Sequence, residues 1–210
     1  MKIDGRSEAD IILSVETSLK TLGRSTIDLM QIHWPGTTEE TKSALDTYMK
    51  LQKEGKILHI GVCNFGFMDL METEEYPIVS NQVPYSLMWR VIEDEIAPLT
   101  KAQGKKLWVY SPLQQGLLIG KYTALSSFPK GRMRTRHFSP QRDAAAHGGP
   151  GMEAETQELL SEFLTIAKDL GMKPTELAIR YINSQAFVDT ILVGARTTEQ
   201  LKELQSISRN

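Results

Sequence analysis

With 210 residues, 40% of them hydrophobic and 24% charged, the chain holds enough apolar material for one large domain or two small ones. Lys plus Arg number 24 against 26 Asp plus Glu, so no global field invites nucleic acid. Neither a bilayer-length apolar run nor a signal-peptide core is present, and a cytoplasmic location is the expectation.

The elements read in chain order. Ser7-Glu8-Ala9-Asp10 is a capping-box-like start, after which Ile11, Val15, Leu19 and Leu22 repeat at helical spacing until Gly23. A strand follows at Ile27 to Ile32. Thr37 with Glu40 opens a second helix with apolar face Ala44, Leu45, Tyr48 and Met49, ended by Gly55, and Ile57 to Val62 is the next strand. A short helix near Met68 to Thr73, a strand at Val79 to Val83, a helix carrying Ile92, Ile96 and Leu99, and a strand at Leu107 to Tyr110 continue the alternation. Helices near Glu153 to Leu170 and Pro174 to Asn183, a strand at Val188 to Val193 and a helix from Thr198 close the chain.

Strand and helix alternate on short connections, which argues for parallel strands covered by helices. No GxGxxG or GxxxxGK[ST] follows any strand, so the phosphate loops of doubly wound nucleotide-binding sheets are absent. Chemically capable residues instead follow each strand, in HWPG, CNFG, QVPYS, YSPLQQG and GARTTEQ, as on the C-terminal face of a (β/α) barrel. A complete barrel takes about 250 residues and eight strands. The expectation is therefore a partial (β/α)8 barrel of about five parallel strands, lacking three βα units, as one incomplete domain over 1–210. The segment 123–151, rich in Ser, Pro, Gly and Arg, reads as a long lid-like or disordered loop. Its Lys130, Arg132, Arg134 and Arg136 form a local positive patch that suits a phosphate.

The last strand's end carries the strongest phosphate signal. Gly194 allows close backbone approach, Arg196 offers a bidentate fork, and a helix begins there with outward-pointing amides, although Thr197 and Gln200 also read as an ordinary capping box. Tyr110 suits stacking on a planar ring, with Ser111 near a phosphate, or equally an aromatic packed at a barrel rim. Asn64 and Gln82 present amides able to pair with a carboxamide, or serve as turn residues. Cys63 is the single cysteine, which excludes a disulfide framework and a cysteine-cluster zinc site; with no basic partner in view it reads as a small buried residue. The four histidines show neither HxxxH nor HxH spacing, so no metal is expected. His33 suits donation to a carbonyl oxygen beside the apolar wall of Trp34. No second histidine, carboxylate pair or lysine stands at a strand end, and Tyr85 is the nearest internal proton donor.

Taken together, SLKTLGRSTIDLMQIHWPG, LQKEGKILHIGVCNFG, NQVPYSLMWR, WVYSPLQQGLLIGKY and ILVGARTTEQLKEL resemble the aldo-keto reductase family over nearly the whole chain. The resemblance implies a (β/α)8 barrel that binds NADPH at its C-terminal face and reduces carbonyls by hydride transfer. It implies that His33 orients the substrate carbonyl and Trp34 walls the substrate pocket. Cys63 stands where the family usually has serine, and Asn64 and Gln82 match the residues holding the nicotinamide carboxamide. Tyr110 resembles the stacking aromatic, Ser111 and Leu113 the pyrophosphate residues, and Lys121 and Arg134 phosphate contacts from the long loop. Gly194, Arg196, Gln200 and Glu203 resemble the adenosine and 2′-phosphate end, with Leu204 in place of a common asparagine; Arg196 favours NADPH over NADH.

The family's proton-donating tyrosine, its lysine partner and an aspartate lie on its first three βα units, and those residues find no counterpart in this reading. The expectation is a truncated oxidoreductase acting on a small-molecule carbonyl, weak or inactive alone, without nucleic-acid or membrane partners. The alternative is a non-catalytic barrel remnant that binds a nucleotide or a partner protein. Open barrel edges beside the first and last strands imply self-association or a covering partner.

Overall fold

In the computed structural model, which describes residues 1–3 and 5–208, Ser7 caps helix α1 (Glu8–Leu22) by a reciprocal box: its hydroxyl accepts the Asp10 N–H while the Asp10 carboxylate takes the Ser7 N–H. Strand β1 (Ile27–Ile32) follows. Helix α2 (Thr38–Lys53) starts with the same device, Thr37 paired with Glu40. The Glu40 carboxylate also accepts the Gly5 N–H at 3.1 Å, which ties the segment before α1 to the start of α2. Those backbone donors, Thr37 first and Gly5 next, hold its carboxyl below the usual range. Gly36 is needed there, because a Cβ would lie 2.6 Å from Glu40 Oε2.

The remaining elements are β2 (Ile57–Cys63), α3 (Phe67–Glu72), β3 (Ile78–Pro84), α4 (Ile96–Ala102), β4 (Lys106–Tyr110), α5 (Glu153–Asp169), α6 (Pro174–Asn183), β5 (Thr190–Leu192) and α7 (Thr198–Ser208). Short 3₁₀ stretches lie between β4 and α5. The five strands form one parallel sheet in the order β1-β2-β3-β4-β5, so strand neighbours in space are strand neighbours in sequence, the partial (β/α) barrel arrangement expected. Among the described residues no helix is long and apolar enough to cross a membrane.

The chain divides into two units. Unit 1 comprises residues 1–84, 91–110 and 187–190. In its core, Ile32, Ile60 and Val62 of the sheet pack against Ile11 and Val15 of α1 and Leu45 and Tyr48 of α2. Residues of the opposite parity point to the other face of the sheet. Register aligns Gln31, Gly61, Ser80 and Lys106 in one row and Cys63, Gln82 and Trp108 in the next. Asp189 joins this unit by accepting the Leu107 N–H on its carboxylate at 2.8 Å while donating its own N–H to Leu107 O at 2.9 Å. The last strand begins at Thr190, two residues later than the apolar pattern suggests.

Unit 2 comprises residues 85–90, 111–186 and 191–210. The segment 123–151 does not hang free, because Leu125, Phe128, Met133 and Phe138 are buried with Leu160 and Phe163 of α5. Phe128 stacks on Phe138 at 5.5 Å and meets Tyr122 edge-on at 5.1 Å. Arg142 makes a two-pronged bond to Glu153, both contacts 2.8 Å, and the Ser139 N–H reaches the same carboxylate. The Ser, Pro, Gly and Arg content conceals an irregularly spaced apolar set that has no helical or strand period. Two of the four basic residues in the expected patch are engaged internally: Arg132 reaches Gln115 O, and Arg136 packs over Gly149, where a Cβ would lie 2.8 Å from its Nη2.

Candidate active site

Strand β1 delivers His33 and Trp34 to its C-terminal end, both exposed, with ring centroids 6.1 Å apart and planes tilted by 45°. The backbone beside them is held by the first residue of the chain. The Met1 nitrogen donates to Gln31 O at 2.6 Å and the His33 N–H donates to Met1 O at 2.7 Å. This is the hydrogen-bond pattern of a parallel bridge, with Met1 opposite Ile32. The next residue, Lys2, consequently follows beside His33. The edge of β1 is therefore engaged at its C-terminal end rather than fully open, and Lys2 is the residue that follows the bridging Met1. Its sequence signal was the apolar-Lys-apolar triplet Met1-Lys2-Ile3, with Ile3 buried, ahead of the Ser7 cap.

Asn64, one residue past β2, is the junction of unit 1's strand ends. Its backbone is left-handed, φ 61°, a conformation asparagine tolerates better than most residues with a Cβ. The Asn64 N–H donates to Gln82 O at 2.9 Å, Nδ2 donates to His33 O at 2.9 Å, and Oδ1 accepts the Tyr110 hydroxyl at 2.7 Å. The two side-chain partners fix the carboxamide's orientation, since the His33 carbonyl can only accept and must face the amide nitrogen. One N–H and one acceptor lone pair of Asn64 remain for a ligand. Burial pushes the Tyr110 phenol up, and the nearby Cys63 adds to this, so at neutral pH Tyr110 carries the proton it donates. Thus Asn64, following β2, ties in the ends of β1 and β4 through its carboxamide and the end of β3 through its backbone N–H.

Cys63 and Gln82 stand side by side in the sheet register. Burial raises the Cys63 thiol, so it is a packing residue rather than a nucleophile. Tyr85, in unit 2, is fully buried, with its hydroxyl 3.4 Å from that of Tyr181, and is likewise a packing residue. Among the described residues no group of His, Cys, Asp and Glu is placed to hold a metal ion.

In unit 2 the chain after β4 turns through left-handed positions at Ser111 (φ 58°), Gln114 (φ 45°), Gln115 (φ 56°) and Gly116 (φ 95°). The buried Gln114 fixes this turn by donating from Nε2 to Ser86 Oγ at 2.7 Å. Leu113 packs into the apolar clusters, leaving its backbone as the part available to a ligand. Lys121 is exposed beside the Tyr122 ring, and Arg134 is exposed, with its carbonyl accepting the Ala146 N–H.

At the start of α7, Gly194 has open space around it and Arg196 is exposed. Gln200 Oε1 accepts the Arg196 N–H at 2.9 Å and Thr197 Oγ1 accepts the Gln200 N–H at 3.3 Å, so the cap fixes the loop holding Arg196. Glu203 is paired with Lys173 at 2.8 Å. Leu204 is buried with Ile179 and Ile207 and so anchors α7 to α6.

Comparisons with known proteins assign the chain as a whole to a family. Protein tas of Escherichia coli K12 is 32% identical over 213 residues, covering 90% of this chain and 59% of that protein. Aldo-keto reductase YhdN of Bacillus subtilis is 32% identical over 205 residues, covering 96% of this chain and 59% of that protein. The solved glycerol dehydrogenase AKR11B4 from Gluconobacter oxydans superposes with a TM-score of 0.69 at 27% identity, over 95% of this chain and 64% of that one. The chain thus spans about three-fifths of the length of these relatives. The model of the aldo/keto reductase family matches residues 1–208, from the Met1 bridge to the end of α7, and the chain belongs to that family.

Proposed function

We propose that this chain binds NADPH and reduces the carbonyl group of a small aldehyde or ketone. The observation that carries the reading is the Asn64 junction, whose backbone N–H bonds Gln82 O and whose carboxamide, held between His33 O and the Tyr110 hydroxyl, has one donor and one acceptor to spare. Those two groups match the acceptor and donor of a nicotinamide carboxamide, and Gln82 offers a second amide. Tyr110 supplies a ring for stacking. When bound, the nicotinamide would supply the hydride that adds to the carbonyl carbon, leaving the cofactor oxidised, and water would supply the proton that the oxygen takes up. A ring N–H of His33 donates to the carbonyl oxygen and stabilises its developing negative charge, Lys2 adds positive charge beside it, and Trp34 shields one side from water.

In unit 2, the backbone around Ser111 and Leu113 and the cations Lys121 and Arg134 suit the pyrophosphate. Gly194, Arg196, Gln200 and Glu203 suit the adenosine end. Arg196 beside the α7 N-terminus is a cation on a positive helix end, the combination that favours a 2′-phosphate and hence NADPH over NADH. Because Gln200 is spent on the Arg196 backbone and Glu203 on Lys173, Arg196 is left as the charge that reads the phosphate.

The test is a titration of the chain with NADPH and with NADH, followed by tryptophan fluorescence and thermal shift. Saturable NADPH binding is expected, tighter than NADH, and Arg196→Met narrows the difference. No response at millimolar NADPH overturns the proposal. Turnover of simple aldehydes by the chain alone should be slow, about 10²–10⁴-fold below an enzyme with a dedicated proton donor. Binding with no turnover at all would instead favour a non-catalytic nucleotide-binding role.

A further inference from the structure

We propose that the Tyr110 hydroxyl is a positioning group that sets the Asn64 carboxamide for its ligand, a role separate from any contact made by the Tyr110 ring. The inference rests on the nicotinamide reading of unit 1 and adds a determinant to it. An asparagine beyond a strand end has a rotatable terminal amide, and nothing in its own backbone decides which way oxygen and nitrogen face. Here two partners decide it. The His33 carbonyl takes one amide hydrogen at 2.9 Å and the Tyr110 hydroxyl hydrogen takes one lone pair at 2.7 Å. The backbone below is already set by the left-handed φ of 61° and the N–H bond to Gln82 O, so the carboxamide is constrained at both ends.

Without the hydroxyl, the Asn64 oxygen would be left with one partner fewer in a half-buried setting, and the amide would be free to rotate away from its hydrogen bond to His33 O. A ligand carboxamide would then meet a mixture of orientations, only some with the donor and acceptor correctly placed. The Tyr110 proton supply is steady, because burial keeps the phenol in its neutral form through the ordinary pH range. The tie also reaches His33, whose carbonyl is held through the same amide, so loss of the hydroxyl should loosen the imidazole's backbone as well.

Tyr110→Phe keeps the ring and removes only the hydroxyl. The experiment measures, by calorimetry, the Kd of NADPH and of 2′,5′-ADP, which carries the adenosine, the 2′-phosphate and one 5′-phosphate but no nicotinamide. The variant is expected to bind NADPH about 3- to 10-fold more weakly, the value of one net hydrogen bond, while 2′,5′-ADP binding is unchanged. A merely structural role would weaken both ligands together, and that result overturns the inference, as does unchanged NADPH affinity. Asn64→Ala gives the second arm: in that background Tyr110→Phe should have no further effect on NADPH, and an undiminished effect overturns the inference. If the unaltered chain binds 2′,5′-ADP as tightly as NADPH, the nicotinamide end is unused and this inference falls while the phosphate site stands. Failure to bind either ligand removes the cofactor reading and the inference together.

Discussion

Mild acid should loosen unit 2 through His137. This side chain is 5% exposed, with Nε2 3.2 Å from Met88 O, Nδ1 3.0 Å from Thr135 Oγ1 and the ring 5.5 Å from that of Trp89. The Met88 carbonyl can only accept, so the neutral tautomer carries its proton on Nε2 and Nδ1 accepts the Thr135 hydroxyl. Burial pushes the imidazole below its usual value of 6.5, and the Met88 bond offsets only part of that. The unfolded chain therefore takes up a proton near pH 6.5 and the folded chain only at lower pH. Stability is intact above that pH and falls as pH drops below it, with a slope approaching about 1.4 kcal/mol per pH unit until the folded imidazole itself titrates. From pH 6.5 to 5.5 the loss assigned to this group is at most about 1 kcal/mol, the value reached when the folded imidazole stays neutral throughout. His137→Gln keeps an amide donor for Met88 and cannot titrate, so it cancels the contribution of every other acid and base. Urea unfolding at pH 7.5, 6.5 and 5.5 should show the unaltered chain losing more stability than the variant across the last interval, by up to about 1 kcal/mol. Parallel stability curves for the two proteins would refute the reasoning.

Three further outcomes follow from packing and charge. Phe163→Ala should cost about 3–5 kcal/mol, because the ring is 2% exposed among Leu160, Phe128 and Phe138, and denaturant unfolding measures it. Gly151→Ala should cost about 1–3 kcal/mol and speed amide exchange in 123–151, since the new Cβ would lie 2.5 Å from Phe138 O and 2.6 Å from Ser139 Cα; unchanged exchange would contradict the close approach. At Asp189 burial alone would raise the carboxyl, but the Leu107 N–H, Lys106 at 3.0 Å and Lys101 at 3.5 Å together hold it below its usual 3.8. Its contribution is present above that pH and lost as pH falls below it; Asp189→Ala should remove about 2 kcal/mol at pH 7, measured by thermal unfolding, with the difference from the unaltered chain shrinking in acid.

Much of the architecture was readable because its signals are local. The Ser7–Asp10 and Thr37–Glu40 boxes, each followed by apolar residues at helical spacing, mark α1 and α2 within a residue or two, and both form as read. The packing of 123–151 was not readable, because Leu125, Phe128, Met133 and Phe138 are brought together by long-range contacts and obey no period. Lys2 escaped notice because its position beside His33 depends on a single inter-strand bridge made by Met1. Asn64 and Tyr110 were both singled out, each as a separate ligand contact. Their mutual bond spans 46 residues of chain, and no spacing rule reports it.

The left-handed turn at Asn64 also limits what can replace it. The backbone alone would accept glycine or aspartate at φ 61° with little penalty. The side chain must donate to one strand end and accept from another, which glycine cannot do and an ionised aspartate does only in part, having no N–H to give. Main-chain shape narrows the choice to a few residues, and side-chain chemistry selects asparagine among them. Repair of a lost residue 64 by a single compensating change elsewhere is closed off, because no one substitution can supply both the turn and the amide.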